Sequence, residues 1–228
     1  MPKQYFSSET FDFLSALSAN NHRDWFNENK QRYEDVVRTP ALNFITDMAN
    51  ELPVISEHFL AVPKKIGGSL MRVYRDTRFG HDKRPYKTNI GIQFRHETGK
   101  NVHAPGFYLH IETGDCFIGA GIWRPDSASL HKIREAIIEK DTVWMRISRD
   151  KPFLKKYKLS GESLRTAPRG FSREHPMIED LRRKDFIAIA QIREKDILSK
   201  HLLGNVSDYY LQAGSYMSFL CKALDLRY

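Results

Sequence analysis

The 228-residue chain has only two cysteines, Cys116 and Cys221. They stand far apart with no close pair, which argues against a disulfide framework or a cysteine-held zinc; both are expected to be reduced, buried thiols. Long apolar runs are missing too. No segment approaches the length needed to span a bilayer. The first residues, "MPKQYFSSETFDFLSAL", lack the uninterrupted apolar stretch and small-residue cleavage site of a secretory leader. A cytoplasmic location with no membrane partner is the expectation. The chain also has no H-x-H or H-E-x-x-H spacing, no G-x-S-x-G elbow, no G-x-x-x-x-G-K-[ST] loop and no G-x-G-x-x-G turn. No metal, no cofactor and none of the common nucleotide-binding folds is therefore signalled.

What is present is an ordinary globular composition with a basic balance. Hydrophobic residues make up 41% and charged residues 28%, enough for a substantial core and too apolar for disorder. Thirty-six Lys and Arg against 28 Asp and Glu leave a formal charge of +8. The excess is spread through the chain, with no run longer than Arg182, Arg183 and Lys184, so attraction to a polyanion is open but unfocused.

Helical spacing governs the start. Phe11, Leu14 and Leu17 share one face, with Ser8 and Glu9 as start signals. After "NNHRD", Phe26, Tyr33 and Val37 fall near one stripe, and Leu42, Ile45, Met48 and Leu52 resume it beyond Pro40, where a break or kink is expected. From Ser69 the period changes to alternation. Strands are predicted near Leu70–Arg75, near Asn89–Arg95, and at "GFYLHIE" and "CFIGAGIW", the last two joined by a hairpin turn at "TGD". A helix capped by Asp126 or Ser127 carries Leu130, Ile133 and Ile137, and another is expected around Trp144–Tyr157. The Gly- and Pro-punctuated segment from Leu159 to Pro176 reads as a loop with room for a short strand, and as a candidate lid. A last strand, "DFIAIAQI", precedes a helical C-terminal part. The expectation is one α+β domain over residues 1–228: helical at about 8–52, sheet-rich at about 69–123 and mixed at about 126–228. Short strand links favour an antiparallel sheet with helices on one face and a polar open face.

Sorting each strand by alternation separates two rows. One holds Met71, Val73, Ile90, Ile92, Phe94, Phe107, Leu109, Ile111, Cys116, Ile118, Ala120 and Ile122 and is the expected core face. The other mixes Arg72, Tyr74, Asn89, Gly91, Gln93, Tyr108, His110, Glu112, Phe117, Gly119, Gly121 and Trp123. There the glycines are expected to leave room for a ligand or a covering segment.

The strongest single signal is "RVYRDTRFGHDKRPYK", residues 72–87, which places six Lys or Arg side chains among three aromatic rings and two acids. Arginine offers a planar fork of donors matched to carboxylate and phosphate oxygens. Two neighbouring acids cannot neutralise six bases, so the segment reads as an anion site unless a distant acid such as Glu112 closes the gap. The competing reading is an ion-pair network among Arg72, Arg75, Asp76, Arg78 and Asp82 with Tyr86 packed over it.

Arg72, Arg75, Asp76, Arg78, Phe79, Asp82, Lys83 and Tyr86 match R-x-x-R-D-x-R-F-x-x-[DN]-K-x-x-Y position by position. On these residues, and on "FLSALSANNHRDWF", "PGFYLHIE", "GAGIWRP" and "HPMIEDLRRKDF", the chain resembles the family called domain of unknown function 2461 over nearly its whole length. The resemblance implies no reaction, cofactor or substrate and adds weight to these residues.

The expected ligand is a small phosphorylated or carboxylated molecule. Arg72, Arg75, Arg78 and Lys83 would contact the anion, with Asp76 holding a guanidinium in place. Tyr74, Tyr86, Tyr108 and Trp123 are candidate walls, with Arg124 adjoining, and Gln93 and His110 are expected to orient the ligand. If there is chemistry, His110 is the candidate general acid or base, since its intrinsic titration lies near neutrality. Two alternatives stand: nucleic-acid binding through the same basic and aromatic face, and a protein-interaction surface.

Overall fold

The computed structural model describes residues 2–78, 82–99 and 103–228. Its first part is helical, as the spacing predicts. Phe11, Leu14 and Leu17 of α1 (Ser8–Ala19) are buried. After α2 (Arg23–Glu28) and α3 (Lys30–Tyr33), a π-helical turn at Glu34–Arg38 runs into α4 (Thr39–Ile55). Helical backbone thus continues through Arg38 and Thr39 to Pro40, where a break or kink was expected. Pro40 sits in the first turn of α4, and the widened turn before it absorbs the hydrogen bond that proline cannot donate.

Among the described residues six strands form one sheet: β1 (Phe59–Leu60), β2 (Ile90–His96), β3 (Gly106–Glu112), β4 (Asp115–Ile122), β5 (Lys158–Ser160) and β6 (Phe186–Ile192). Their order is β1-β2-β3-β4-β6-β5, and every neighbouring pair is antiparallel. Glu112 pairs with Asp115 around Thr113 and Gly114, and Gly114 takes the φ of +79° that so tight a hairpin demands.

The strand expected at Leu70–Arg75 does not form. Leu70 bridges Ile92 and Tyr74 bridges Tyr86, with nothing regular between them. β1 already occupies the edge of β2 at Arg95 and His96. The arriving chain touches what remains of that edge, through Met71 N–H to Gly91 O at 2.9 Å, and then turns away. It next pairs with its own return: Lys87 N–H reaches Val73 O at 2.8 Å and Arg75 N–H reaches Pro85 O at 2.9 Å. Alternation is lost on the way, so Leu70 and Val73 are buried while Met71, expected in the core row, is 38% exposed.

The rest of that row behaves as its period dictates. From Ile90 to Ile122 its members are all buried. Helices cover them: α4 packs on β2, and α10 (Leu202–Gln212) and α11 (Gly214–Ala223) pack on β4. The Tyr210 ring of α10 lies 4.5 Å from that of Phe107. Asp126 caps α5 (Ser127–Glu139) by accepting the Ser129 N–H at 2.7 Å. The helix expected at Trp144–Tyr157 is two, α6 (Asp141–Ser148) and α7 (Lys151–Lys156), because Asp150 caps a fresh start and Pro152 stands in its first turn. Short helices α8 (Ile178–Leu181) and α9 (Glu194–Ile197) flank β6.

Cys116 and Cys221 are free and buried, and burial pushes their thiols up to about 11 and about 12. Among the described residues no helix is long and apolar enough to cross a membrane.

Candidate functional site

The basic stretch is a hairpin-like excursion held against the first helices. Asn21 clasps Tyr86 from both sides: its amide donates to Tyr86 O at 3.0 Å and its carbonyl accepts the Tyr86 N–H at 3.0 Å. One asparagine thus stands in for a strand partner. Tyr86 is 2% exposed, its ring stacked on Phe26 of α2 at 4.1 Å, while Tyr74 beside it is 54% exposed. Between the turn carrying Asn21, His22 and Arg23 and the hairpin carrying Tyr74, Arg75 and Lys83 lies a cleft of about 610 Å³.

The cations of the segment fall into two sets. Arg75 donates to Asp82 at 2.7 Å, and Arg84 forks onto the same carboxylate at 2.7 and 3.0 Å. Arg78 forks onto Asp76 at 2.7 and 3.0 Å, and Lys83 donates to Thr77 O at 2.9 Å. Hydrogen bonds from Arg78 and Arg84 hold the Asp76 and Asp82 carboxyls well below the usual carboxylate range. The side chains of Arg72 and Lys87, by contrast, have no hydrogen-bond or ion-pair partner among the described residues. Arg72 acts on Asp76 only through space. Burial lowers the affinity of Lys87 for its proton, and the charges of Arg72 and Arg75 lower it further.

Glu112 does not close that gap. It accepts from Thr88 Oγ1 with one oxygen and faces His110 Nε2 at 3.2 Å with the other. On the far side of the ring, Nδ1 lies 3.3 Å from the Asn89 amide and 3.2 Å from Tyr108 Oη. With the Asn89 amide as donor, the proton belongs on Nε2 and is donated to Glu112. The His110 ring stacks on Phe117 at 4.5 Å. Burial pushes the Tyr108 hydroxyl up to about 12, so it stays a donor at neutral pH. Thr88 and Asn89 directly follow Lys87, and the Glu112–His110–Tyr108 chain is therefore joined to the end of the basic hairpin.

The glycines of this face do not leave an empty floor. A Cβ on Gly91 would come 2.6 Å from Tyr108 Oη and 2.9 Å from Met71 Sδ, so the protein itself fills that room. Gly121, at φ +126°, lets the Phe186 carbonyl approach to within 2.0 Å of where a Cβ would be. Close packing, and not ligand space, accounts for both positions.

The structure brings Arg72, Tyr74, Arg75, Asp76, Arg78, Lys83 and Tyr86 into the hairpin, with His110 and Tyr108 adjoining it. Gln93 accepts from Arg95 Nε at 3.2 Å. Trp123 and Arg124 follow Ile122, which pairs with Phe186, and so lie at the end of β4 opposite the Glu112–Asp115 turn. Trp123 is 66% exposed there, with the Arg124 guanidinium 4.7 Å above its ring. Phe79 of the sequence signature, with His81, lies outside the described residues.

Among the described residues two clusters, His58–His96–Glu97 and His110–Glu112–Asp115, are close enough together to hold a metal ion. His58 Nδ1 and His110 Nε2 face the clusters' own carboxylates, Glu97 at 2.8 Å and Glu112 at 3.2 Å. His96 uses Nε2 on Arg227 O at 2.9 Å and Nδ1 on Thr98 Oγ1 at 2.7 Å, and both nitrogens of His110 are taken as described. Sequence reasoning missed Asn21, His22, Arg23 and Asn27, and assigned no role to Lys87. The one signal for the first three was "NNHRDWF", a polar turn opening a helix whose Phe26 has to pack on something, and Asn27 directly follows it.

Neither the curated proteins nor the solved structures give a match. Residues 9–219 match the family model described as Conserved hypothetical protein (DUF2461), and the chain belongs to that family.

Proposed function

We propose that the basic hairpin binds a phosphorylated or carboxylated small molecule, with Arg72 and Lys87 as the principal anion contacts and Arg75 beside them. One observation carries this reading: of the neighbouring cations Arg72, Arg75 and Lys87, two have no acid partner among the described residues, and burial, then the charges of Arg72 and Arg75, lower the affinity of Lys87 for its proton. An anion offsets the repulsion among these charges and favours the charged ammonium. Tyr74, the exposed ring of the cleft, is the wall for the organic part of the ligand, and Arg23 and Lys83 border it.

His110 is the proposed proton carrier for any reaction at the site. Glu112 accepts from Nε2 and fixes the tautomer, which leaves Nδ1, beside Asn89 and Tyr108, as the nitrogen that would take up a proton. A cytoplasmic location is part of the proposal, in keeping with two buried free thiols.

The test is a thermal-shift series with phosphate, sugar phosphates, dicarboxylates and short single-stranded DNA, on the wild type and Arg72→Ala. Arg72 is the better probe than Arg75, because removing Arg75 also strips Asp82 of a partner. Stabilisation by a small anion in the wild type alone supports the proposal. Stabilisation by DNA that falls steeply with salt would assign the face to nucleic acid instead. Equal behaviour of the two proteins with every anion would sink both.

A further inference from the structure

A cavity larger than the hairpin cleft lies away from the hairpin. It is a groove of about 810 Å³ between the α5–α7 helices and α11. Ile147, Phe153 and Phe219 give it an apolar lining, and Val143, 36% exposed, extends that surface outward. Its rim carries Lys140, Arg146 and Lys222. None of the three has a hydrogen-bond or ion-pair partner among the described residues.

Among the described residues one acidic side chain lines the groove, that of Asp150, and its carboxylate is engaged in capping α7 through the Phe153 N–H at 2.9 Å. Donors gather at the other wall. Gly214 and Ser215 open α11, and Ala213 before them supplies no side-chain cap. Their amides therefore add partial positive charge to the same space. The Tyr228 hydroxyl, packed over Gly214, is buried without a hydrogen-bond partner. A buried hydroxyl without an acceptor is costly, and Tyr228 lines the same groove as the three cations.

We infer that this groove is a second ligand site, for an amphipathic anion whose apolar body lies along Ile147 and Phe219 and whose acid group meets Lys140, Arg146 and Lys222. The volume falls within the range of small-molecule sites, about 300–1,000 Å³. The combination selects against both parts taken singly: an inorganic anion leaves the apolar lining wet, and a neutral hydrocarbon leaves the cations unpaired.

Isothermal titration with decanoate, decanol and acetate tests it, on the wild type and on Lys140→Glu/Arg146→Glu/Lys222→Glu. The expected result is saturable decanoate binding, with decanol and acetate at least about tenfold weaker, a gap of ~1.4 kcal/mol. Charge reversal should weaken decanoate by about tenfold or more and leave phosphate binding at the hairpin unchanged. The three rim residues are exposed, so the variant should fold; Arg146→Gln, expected to weaken decanoate severalfold, serves if it does not. No saturable binding by the wild type, equal binding of decanoate and decanol, or decanoate binding indifferent to the rim substitutions would overturn the inference.

Discussion

Arg78 and Arg72 stand six residues apart in the same hairpin, and their circumstances are opposite. Arg78 forks onto Asp76, whereas Arg72 has no hydrogen-bond or ion-pair partner among the described residues. Arg84 and Arg75 side with Arg78, sharing Asp82, and Lys87 sides with Arg72. The ion-pair network is thus present for one subset of these charges, and the proposed anion site rests on the other. Counting bases against acids cannot separate them, because what matters is which base each acid reaches. Asp76 and Asp82 reach the residues two positions on, through turns that bring side chain and backbone donors to one carboxylate.

The substitution expected to have the largest effect removes what both sets stand on. Phe26 is 3% exposed and stacks on Tyr86, so Phe26→Ala should cost about 3–5 kcal/mol in urea denaturation and abolish phosphate binding with it. A loss below ~1 kcal/mol would mean that the hairpin does not depend on α2.

Arg72→Ala comes next. It should weaken phosphate about tenfold without lowering the melting temperature, because no partner is left behind. Arg78→Ala should affect phosphate less, since its guanidinium already serves Asp76. The reverse order of effects would show that the clasped set, and not the open one, faces the ligand.

Asp82→Asn moves residues across the divide by releasing Arg75 and Arg84. Phosphate should then bind about threefold tighter while the ligand-free protein melts earlier, the mark of added like-charge repulsion. Weaker binding instead would show that Asp82 orients Arg75 for the ligand.

How much of this was legible depended on period. Strict alternation from Ile90 to Ile122 named the core face correctly, because both sides of a strand are fixed by one register. Alternation misled at Met71, where the chain bridges β2 once and turns away; a single bridge imposes no face. The basic hairpin was legible as charge and as motif, but Asn21's grip on Tyr86 spans 65 residues and leaves no local trace. The glycines looked like space for a ligand because sequence shows a missing side chain and never the neighbour that fills its place. Trp123 and Arg124 were grouped with the hairpin by face alone, and the register then put them at the other end of the sheet.

The smallest effect expected concerns the proton on Lys87. Burial and the charges of Arg72 and Arg75 put its folded-state pKa below the ordinary lysine value. Between those two values the unfolded chain still holds a proton that the native protein has released. Stability of the ligand-free protein should therefore gain from Lys87 as pH rises through that window, and lose the gain as pH falls through the lowered pKa. Bound phosphate favours the charged ammonium and raises the pKa again, so its own stabilising effect should shrink as pH climbs into the same window. Subtracting the pH profile of Lys87→Met from that of the wild type isolates this contribution from the tyrosines that titrate nearby. The difference should rise with pH without phosphate, and phosphate should flatten that rise. In Arg72→Ala, with one of the two like charges gone, the rise should move toward the ordinary lysine value. A difference profile flat in both conditions would mean that Lys87 titrates as an isolated lysine, and the open set of cations would then lack the mutual repulsion on which the anion site rests.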